Sequence, residues 1–202
     1  MPLRTECVRC PTLLIDEECP DHGPTPPLRR PEVASYDGFA EHLRVAGELP
    51  TYLPWPMSPG WSVSDFAVVE GRATMTCCSG TSALDGPVDV FVVSEESGTG
   101  LGARCAGTPY VDPGPELGVG VPDVRVRLGS QSTPLWPVST ATSRHELDRS
   151  VLVGEAGGRW LWVVLRPASA MLLLRDEWIL RDVSGLGPPL VEMPFGGTSP
   201  AW

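Results

Sequence analysis

Lysine is absent from this sequence of 202 residues, and all fifteen basic side chains are arginine. Twenty-five acidic residues outnumber them and give a net charge of -10. Binding to nucleic acid depends on clustered cations, and the only adjacent basic pair here is Arg29-Arg30. The charge balance therefore makes nucleic acid an unfavourable partner and protein the expected one.

Long hydrophobic runs are absent as well. The longest uninterrupted apolar run, from Trp160 to Leu165, has six residues, whereas a membrane-spanning helix needs about 20. Charged residues interrupt the first 30 positions, so no stretch there could serve as the core of a signal peptide. The sequence predicts no transmembrane helix, no membrane partner and a cytoplasmic location.

Glycine and proline, in contrast, are abundant, with 22 glycines and 23 prolines among the 202 residues. Proline removes a backbone donor and fixes the chain, while glycine permits turn geometries. This composition excludes a helical bundle and favours many short segments joined by turns.

Eight short segments, rich in Val, Leu, Thr and Trp and bounded by turn residues, predict β-strands. They are Val63–Val69, Ala73–Cys78, Val88–Val93, Val124–Leu128, Ser150–Glu155, Arg159–Leu165, Ala170–Leu174 and Trp178–Val183. Gly157-Gly158 predicts a hairpin between two of the strands, and Arg175-Asp176-Glu177 predicts a turn between the last two. Consecutive hairpins of this kind indicate an antiparallel meander.

One helix is predicted from Ser35 to Ala46, because Phe39, Leu43 and Ala46 recur at helical spacing. Ser35 can cap the start of this helix, and Gly47 can end it. With one or two short helices and many strands, the expected fold class is mainly β, of the α+β type, with an antiparallel sheet.

Four potential metal ligands lie in the first 23 residues, as two pairs that are each separated by two positions. They are Cys7, Cys10, Cys19 and His22. Such spacing lets two tight turns aim four side chains at one ion, and three thiolates with one imidazole suit tetrahedral Zn²⁺. Four protein ligands leave no open position for an activated water, so the predicted zinc is structural.

The alternatives to zinc have less support. No export signal accompanies the thiols, which disfavours a disulfide, and no thioredoxin-like unit follows them, which disfavours a redox pair. Iron in a comparable site normally takes four thiolates, so the histidine disfavours it.

The Cys-x-x-Cys and Cys-Pro-x-His-Gly sequences resemble the two knuckles of a zinc ribbon. Zinc ribbons commonly bind nucleic acids or proteins. The segment that resembles one here has no basic face, which favours a protein partner. We expect residues 1–23 to form a zinc-ribbon-like module, 24–34 a proline-rich linker and 35–202 a mainly antiparallel β domain.

A long irregular stretch from Ser94 to Asp123 is the first place to look for a second site. Within it, the glycine-rich run from Gly98 to Arg104 could hold an anion on its backbone amides, with Arg104 as the counter-charge. A turn or a glycine-rich strand is the expected conformation of this run, with no helix after it.

The remaining reactive side chains give weaker signals. Adjacent cysteines on a strand face opposite sides, so Cys77 and Cys78 are predicted to be buried and inert. His42 and His145 have no nucleophile motif near them and are predicted to lie on the surface. The carboxylates of Glu155, Asp176 and Glu177 are expected to be solvated, as is usual at turns.

The whole chain also resembles an uncharacterised family of actinobacterial proteins. The resemblance rests on the ribbon-like start and on four later segments: Leu53-Pro54-Trp55-Pro56, Gly100-Leu101-Gly102-Ala103-Arg104, Asp112-Pro113-Gly114-Pro115 and Trp160-Leu161-Trp162. It implies this order of modules and no established activity. Cys105 stands where the family leads us to expect an aromatic residue, which disfavours a required nucleophile there.

These features predict a zinc-binding cytoplasmic protein that acts as a protein-interaction or adaptor module. The alternative is an enzyme that acts on a small anionic ligand in the β domain, near residues 94–123 and Arg104. The sequence indicates no catalytic residue and no cofactor other than the metal.

Overall fold

The computed structural model describes residues 3–114, 117–139, 148–176 and 178–202. Over these residues the protein is mainly β, with one large mixed sheet and few helices. The strands are β1 (Arg4–Cys7), β2 (Glu18–Cys19), β3 (Gly23–Pro24), β4 (Pro27–Arg30), β5 (Tyr52–Pro54), β6 (Ser62–Val69), β7 (Ala73–Ser82), β8 (Gly86–Glu95), β9 (Val124–Leu128), β10 (Gln131–Pro137), β11 (Ser150–Ala156), β12 (Arg159–Arg166) and β13 (Ile179–Asp182). The helices are α1 (Tyr36–Ala46) and α2 (Leu101–Ala106), with 3₁₀ helices at Ala168–Asp176 and Pro188–Glu192.

Eleven of these strands form one sheet in the order β1-β4-β6-β7-β8-β12-β11-β10-β9-β13-β5, and β2 pairs with β3 separately. Strands β9 and β13 are parallel, so the sheet is mixed and the prediction of an antiparallel sheet was incomplete. The physical reason for this difference from the predicted sheet lies in the segment that precedes β13. The segment Ala170–Leu174, predicted as a strand, lies in a 3₁₀ helix, so no hairpin joins it to β13.

Two local predictions are confirmed. The chain turns between β11 and β12 at Gly157-Gly158, where both residues have positive φ and Ala156 pairs with Arg159. Helix α1 begins after Ser35, whose hydroxyl accepts the backbone N–H of Gly38, and it ends at a glycine with φ of 61°.

The central strands β8 and β12 are buried on both faces. Val92 and Val163 pack in one apolar cluster, and Phe91 and Trp162 pack in another on the opposite face. Burial on both sides explains why these strands read as nearly continuous apolar runs. Helix α2 lies in the cluster that contains Trp162, so it covers that face of the sheet.

The far edge of the sheet folds back over its middle. The hydroxyls of Thr74 and Thr76 on β7 donate to the carbonyl oxygens of Pro50 and Tyr52, at 2.5 and 2.6 Å. Strand β5 therefore closes over β7. Its Pro54 is tolerated because β5 is the last strand in the sheet order.

The N-terminal segment joins the opposite edge. Strand β1 pairs with β4, and β4 pairs with β6 through Leu28 and Arg29. Residues 24–34, for which the sequence predicts a linker, thus contribute a strand to the large sheet. No helix in the described part of the chain is long and apolar enough to cross a membrane.

Helix α2 corrects the interpretation of the glycine-rich run. The run leads from β8 into α2. This helix begins after Gly100, whose backbone adopts a left-handed conformation. The sequence predicted nothing helical here, because a six-residue helix with an internal glycine leaves little periodic signal.

Candidate metal centre

Two short turns present the candidate ligands. Cys7 is the last residue of β1, and Cys10 lies in the turn that follows it. Cys19 is the last residue of β2, and Gly23, with a φ of +67°, begins β3 directly after His22. The pairing of β2 with β3 therefore brings the second pair back toward the first.

The structure brings all four predicted side chains together, and we call them the Cys₃His cluster. Their ligand atoms lie within 4.8 Å of one another. The Sγ atoms of Cys10 and Cys19 are 3.6 Å apart. The Nδ1 atom of His22 lies 3.6 Å from the Sγ of Cys7 and 3.5 Å from that of Cys19.

These distances exclude a disulfide, because an S–S bond measures about 2.05 Å. All three cysteines of the cluster are free thiols. Cys7 and Cys19 are buried, Cys10 is half-buried and the His22 side chain is exposed. The cluster could hold a metal ion at the surface, with two of its sulfurs shielded from solvent.

Backbone and side-chain hydrogen bonds reach the sulfurs of the Cys₃His cluster. The N–H of Arg9 lies 3.3 Å from the Sγ of Cys7, within hydrogen-bonding distance. Burial raises the pKa of the Cys10 thiol, but hydrogen bonds from the side chain and backbone of Thr12 outweigh it and bring the pKa to about 7. Because a thiolate is the form that binds a metal, this environment favours ligation by Cys10 at neutral pH, whereas burial raises the pKa of the Cys7 thiol.

A buried arginine ties the cluster to the rest of the protein. Arg104 of α2 donates to the carbonyl oxygen of Cys7 at 2.5 Å and to the carboxylate of Glu6 at 2.7 Å. The two charged side chains are only 3% and 6% exposed. Arg104 therefore holds β1 against α2.

This contact overturns the role predicted for Arg104. The sequence suggested that its guanidinium could bind a small anion, but its charge is already paired with a buried carboxylate. The backbone amides of Leu101 and Gly102 are likewise taken, because both donate to the carboxylate of Glu95. The two amides and the two terminal nitrogens of Arg104 are therefore occupied, whereas the Nε of Arg104 has no partner among the described residues.

Comparison with known proteins adds one result. A model described as a family of unknown function matches residues 2–202, which is nearly the whole chain. The chain belongs to the DUF6758 family. Neither the curated proteins nor the solved structures gave a match to this DUF6758 protein.

Trp202, which the sequence analysis missed, completes the contacts around Arg104 in this DUF6758 chain. The guanidinium groups of Arg30 and Arg104 each lie over its indole ring, 4.4 Å from the ring centroid. The indole N–H donates to Asp65 at 2.8 Å, and Arg30 donates to the same carboxylate. No local sequence pattern predicts this network, because its members are far apart in sequence.

The other predicted side chains have mixed outcomes. Cys77 and Cys78 are fully buried, and burial raises the pKa of each thiol, that of Cys78 to about 12, as expected for inert thiols. Cys105 is buried in the same way. His42 was predicted on the surface but is fully buried between Phe39 and Phe66, and burial lowers its pKa to about 3.

Glu155 is exposed at the end of β11, as expected. His145, Glu177 and the side chain of Asp176 lie outside the described residues.

Proposed function

We propose that the Cys₃His cluster binds one structural Zn²⁺ ion and that the DUF6758 protein is a cytoplasmic protein-interaction module. The spacing of the ligand atoms is the main observation that supports zinc binding. Zinc–sulfur and zinc–nitrogen bonds of about 2.3 and 2.05 Å give tetrahedral edges of about 3.75 Å between sulfurs and about 3.55 Å from sulfur to nitrogen. Three of the six separations between ligand atoms, 3.6, 3.6 and 3.5 Å, match these edges, and all six lie within 4.8 Å.

Zinc is favoured over other metals by its ligand set. Three soft thiolates and one imidazole suit Zn²⁺, whereas Mg²⁺ and Ca²⁺ take oxygen ligands. When bound, the ion would crosslink two chain turns. The residues between Cys7 and His22 have few buried apolar side chains of their own, so the crosslink supplies most of their conformational restraint.

The adaptor role is supported by the surface of the same turns. Leu13 and Ile15 are 56% and 70% exposed, and Ile15 begins a tight turn that is closed by hydrogen bonds between Ile15 and Glu18. Asp16 and Glu17 in this turn both have positive φ, which is uncommon for residues other than glycine. Exposed apolar side chains beside carboxylates fit a protein partner better than nucleic acid.

Elemental analysis of the purified protein tests the metal site. We expect one zinc per chain, lost in Cys7→Ser and in Cys19→Ser, and retained in the control Cys78→Ala, whose thiol lies in the core. A protein that holds no zinc after expression in zinc-supplemented medium, and none after reconstitution, would refute the site.

Affinity capture from the native cell tests the adaptor role. We expect Leu13→Ser/Ile15→Ser to lose specific partners that the parent chain captures, while Leu84→Ser, which alters a leucine elsewhere that is 84% exposed, keeps them. Equal capture by all three chains would place the interaction away from the metal-bound turns.

The alternative of an enzyme acting on a small anion loses its main residue, because Arg104 is paired with Glu6. We expect no saturable thermal shift with phosphorylated metabolites or nucleotides. A shift that Arg9→Ala abolishes would revive the alternative, because Arg9, His22 and Arg104 line a cleft of about 270 Å³.

A further inference from the structure

Residues 199–202 form no strand or helix, and arginine side chains hold them against the large sheet. Arg30 of β4 donates to the hydroxyl of Ser199 and to the carbonyl oxygen of the next residue, at 3.0 and 3.1 Å. Arg166 of β12 donates to the carbonyl oxygen of Ala201. The position of this 199–202 segment therefore depends on side chains from elements that are distant in sequence.

Trp202 anchors the segment through two supports. The first consists of Asp65 and Arg30: the indole N–H donates to the Asp65 carboxylate at 2.8 Å, and the Arg30 guanidinium lies 4.4 Å from the ring centroid. The second is Arg104 of α2, whose guanidinium also lies over the ring at 4.4 Å. A cation over the face of an indole attracts the ring, so the position of Arg104 influences the position of Trp202.

The orientation of Arg104 depends in turn on the proposed metal ligand Cys7. The two terminal nitrogens of Arg104 donate to the carbonyl oxygen of Cys7 and to the carboxylate of Glu6, at 2.5 and 2.7 Å. Its Nε has no partner among the described residues. Both acceptors belong to β1, which ends at Cys7. A displacement of Cys7 therefore moves an acceptor that fixes the guanidinium against Trp202.

The turn after Cys7 is also connected to Trp202 by apolar packing. Val8 is 1% exposed and belongs to the same buried cluster as Leu28. Trp202 packs against this cluster. The metal-binding turn and the 199–202 segment thus share part of the core.

We propose that zinc binding at the Cys₃His cluster and docking of the 199–202 segment are coupled through Arg104, so that loss of the ion loosens this segment. The inference rests on the zinc site proposed above. Without the crosslink, the end of β1 is less restrained, so the carbonyl oxygen of Cys7 no longer fixes Arg104 and Trp202 loses one of its two supports. Coupling between two sites is reciprocal, so a docked segment must also strengthen zinc binding.

The zinc affinity of the full chain, measured by competition with a chromophoric chelator, tests this reciprocity. We expect Trp202→Ala to bind zinc about tenfold more weakly than the parent chain, although its indole is not a ligand. The control Trp136→Ala removes an indole from β10, away from β1 in the sheet, and should keep the parent affinity. Equal affinities for all three folded chains would overturn the coupling, whereas a parent chain that binds no zinc would overturn the zinc site and the coupling together.

A second measurement follows the indole N–H of Trp202 in the ¹⁵N-labelled parent chain, with zinc and after chelation. Its resonance is the one that disappears in Trp202→Phe. We expect zinc removal to speed its exchange with solvent about tenfold, while the N–H of Trp162, which is fully buried in β12, stays protected. Unchanged exchange at Trp202 would overturn the proposal. Loss of protection at both indoles would also overturn it, because the whole chain would then unfold without zinc.

A double variant tests whether Arg104 is the link. Arg104→Lys keeps the charge but replaces the planar guanidinium, which donates to both acceptors on β1, with a single ammonium group. We expect this variant to weaken zinc binding, and we expect the addition of Trp202→Ala to have little further effect. Fully additive effects of the two substitutions would overturn the role of Arg104.

Discussion

Glu95 is a carboxylate at the end of β8 that the fold buries completely. One of its oxygens accepts the backbone N–H groups of Leu101 and Gly102, at 2.8 and 3.1 Å. Its other oxygen has no hydrogen-bond partner among the described residues. Burial raises the pKa of Glu95 to about 7, although the two backbone amides act in the opposite direction.

This raised pKa predicts a pH dependence of stability. The folded protein holds the Glu95 proton more tightly than the unfolded chain, whose carboxyl has a pKa of about 4.3. The contribution of Glu95 to the free energy of unfolding is therefore fully present below about pH 4.3 and is lost as pH rises through 7. The loss is on the order of 4 kcal/mol.

Urea unfolding at pH 5 and pH 8 measures this effect. We expect Glu95→Gln to remove the corresponding decrease, because the amide stays neutral and can still accept from the two amides. The matched control is Glu155→Gln, on the exposed end of β11, which should keep the pH dependence of the parent chain. An unchanged pH profile in Glu95→Gln would contradict the assignment.

At the residue scale, sequence predicts what is local. The Cys₃His cluster could be predicted because its two pairs lie within 16 residues and their spacing reflects turn geometry. The pairing of Arg104 with Glu6 and the burial of His42 could not, because each depends on tertiary packing between segments that are distant in sequence. Composition and hydrophobic periodicity do not indicate which distant residues will contact each other.

At the scale of elements, α2 packs directly on the core through a glycine. Gly102 faces the ring of Trp162, and a Cβ atom at this position would overlap that ring. Trp162 is fully buried in β12 and cannot easily move aside. The absence of a side chain at Gly102 is thus a packing requirement.

Substitution of this glycine should be costly even though alanine favours a helix. We expect Gly102→Ala to lower the free energy of unfolding by about 1–3 kcal/mol, as overpacking of a core does. Gly185→Ala is the control, because a Cβ atom there meets nothing within 4 Å. Urea unfolding compares the two, and equal stability would show that α2 can shift away from Trp162.

Arg104 is the second link between α2 and the remainder of the protein. Its replacement by leucine would leave the carboxylate of Glu6 buried without its partner, which typically costs about 3–5 kcal/mol. Arg29→Leu breaks the more exposed pair with Glu70 and should cost about 1 kcal/mol or less. Comparable unfolding free energies for both variants would show that Glu6 finds another partner.

Sequence identified seven of the thirteen strands, and the elements that it missed or misassigned have physical reasons. Ala170–Leu174 has the apolar composition of a strand, but it lies in a 3₁₀ helix that buries Ala170 and Leu174 and leaves Leu172 exposed. Residues 24–34 have the composition of a linker, yet β4 lies within them because Pro27, at its first position, is placed where a strand tolerates proline. The parallel pairing of β9 with β13 leaves no local signal.

At the scale of the whole molecule, one carboxylate joins distant parts of the chain. Asp65 of β6 is fully buried and accepts hydrogen bonds from Arg30 of β4 and from Trp202. Arg30 also donates to Ser199 and to the carbonyl oxygen of Pro200. The segment that ends at Trp202 is thereby fastened to the same edge of the sheet as β1.

The segment between the two ligand pairs of the Cys₃His cluster also covers that edge. Strand β1 is outermost in the sheet, and its free side is occupied by residues 12–14, through hydrogen bonds from Cys7 to Thr12 and from Leu14 to Thr5. An uncovered edge strand is a template for pairing with another chain. Removal of zinc should release this cover, so the chelated protein should self-associate in a concentration-dependent manner that zinc reverses. Light scattering would show it, and a chelated protein that stays monomeric would mean that residues 12–14 hold their place unaided.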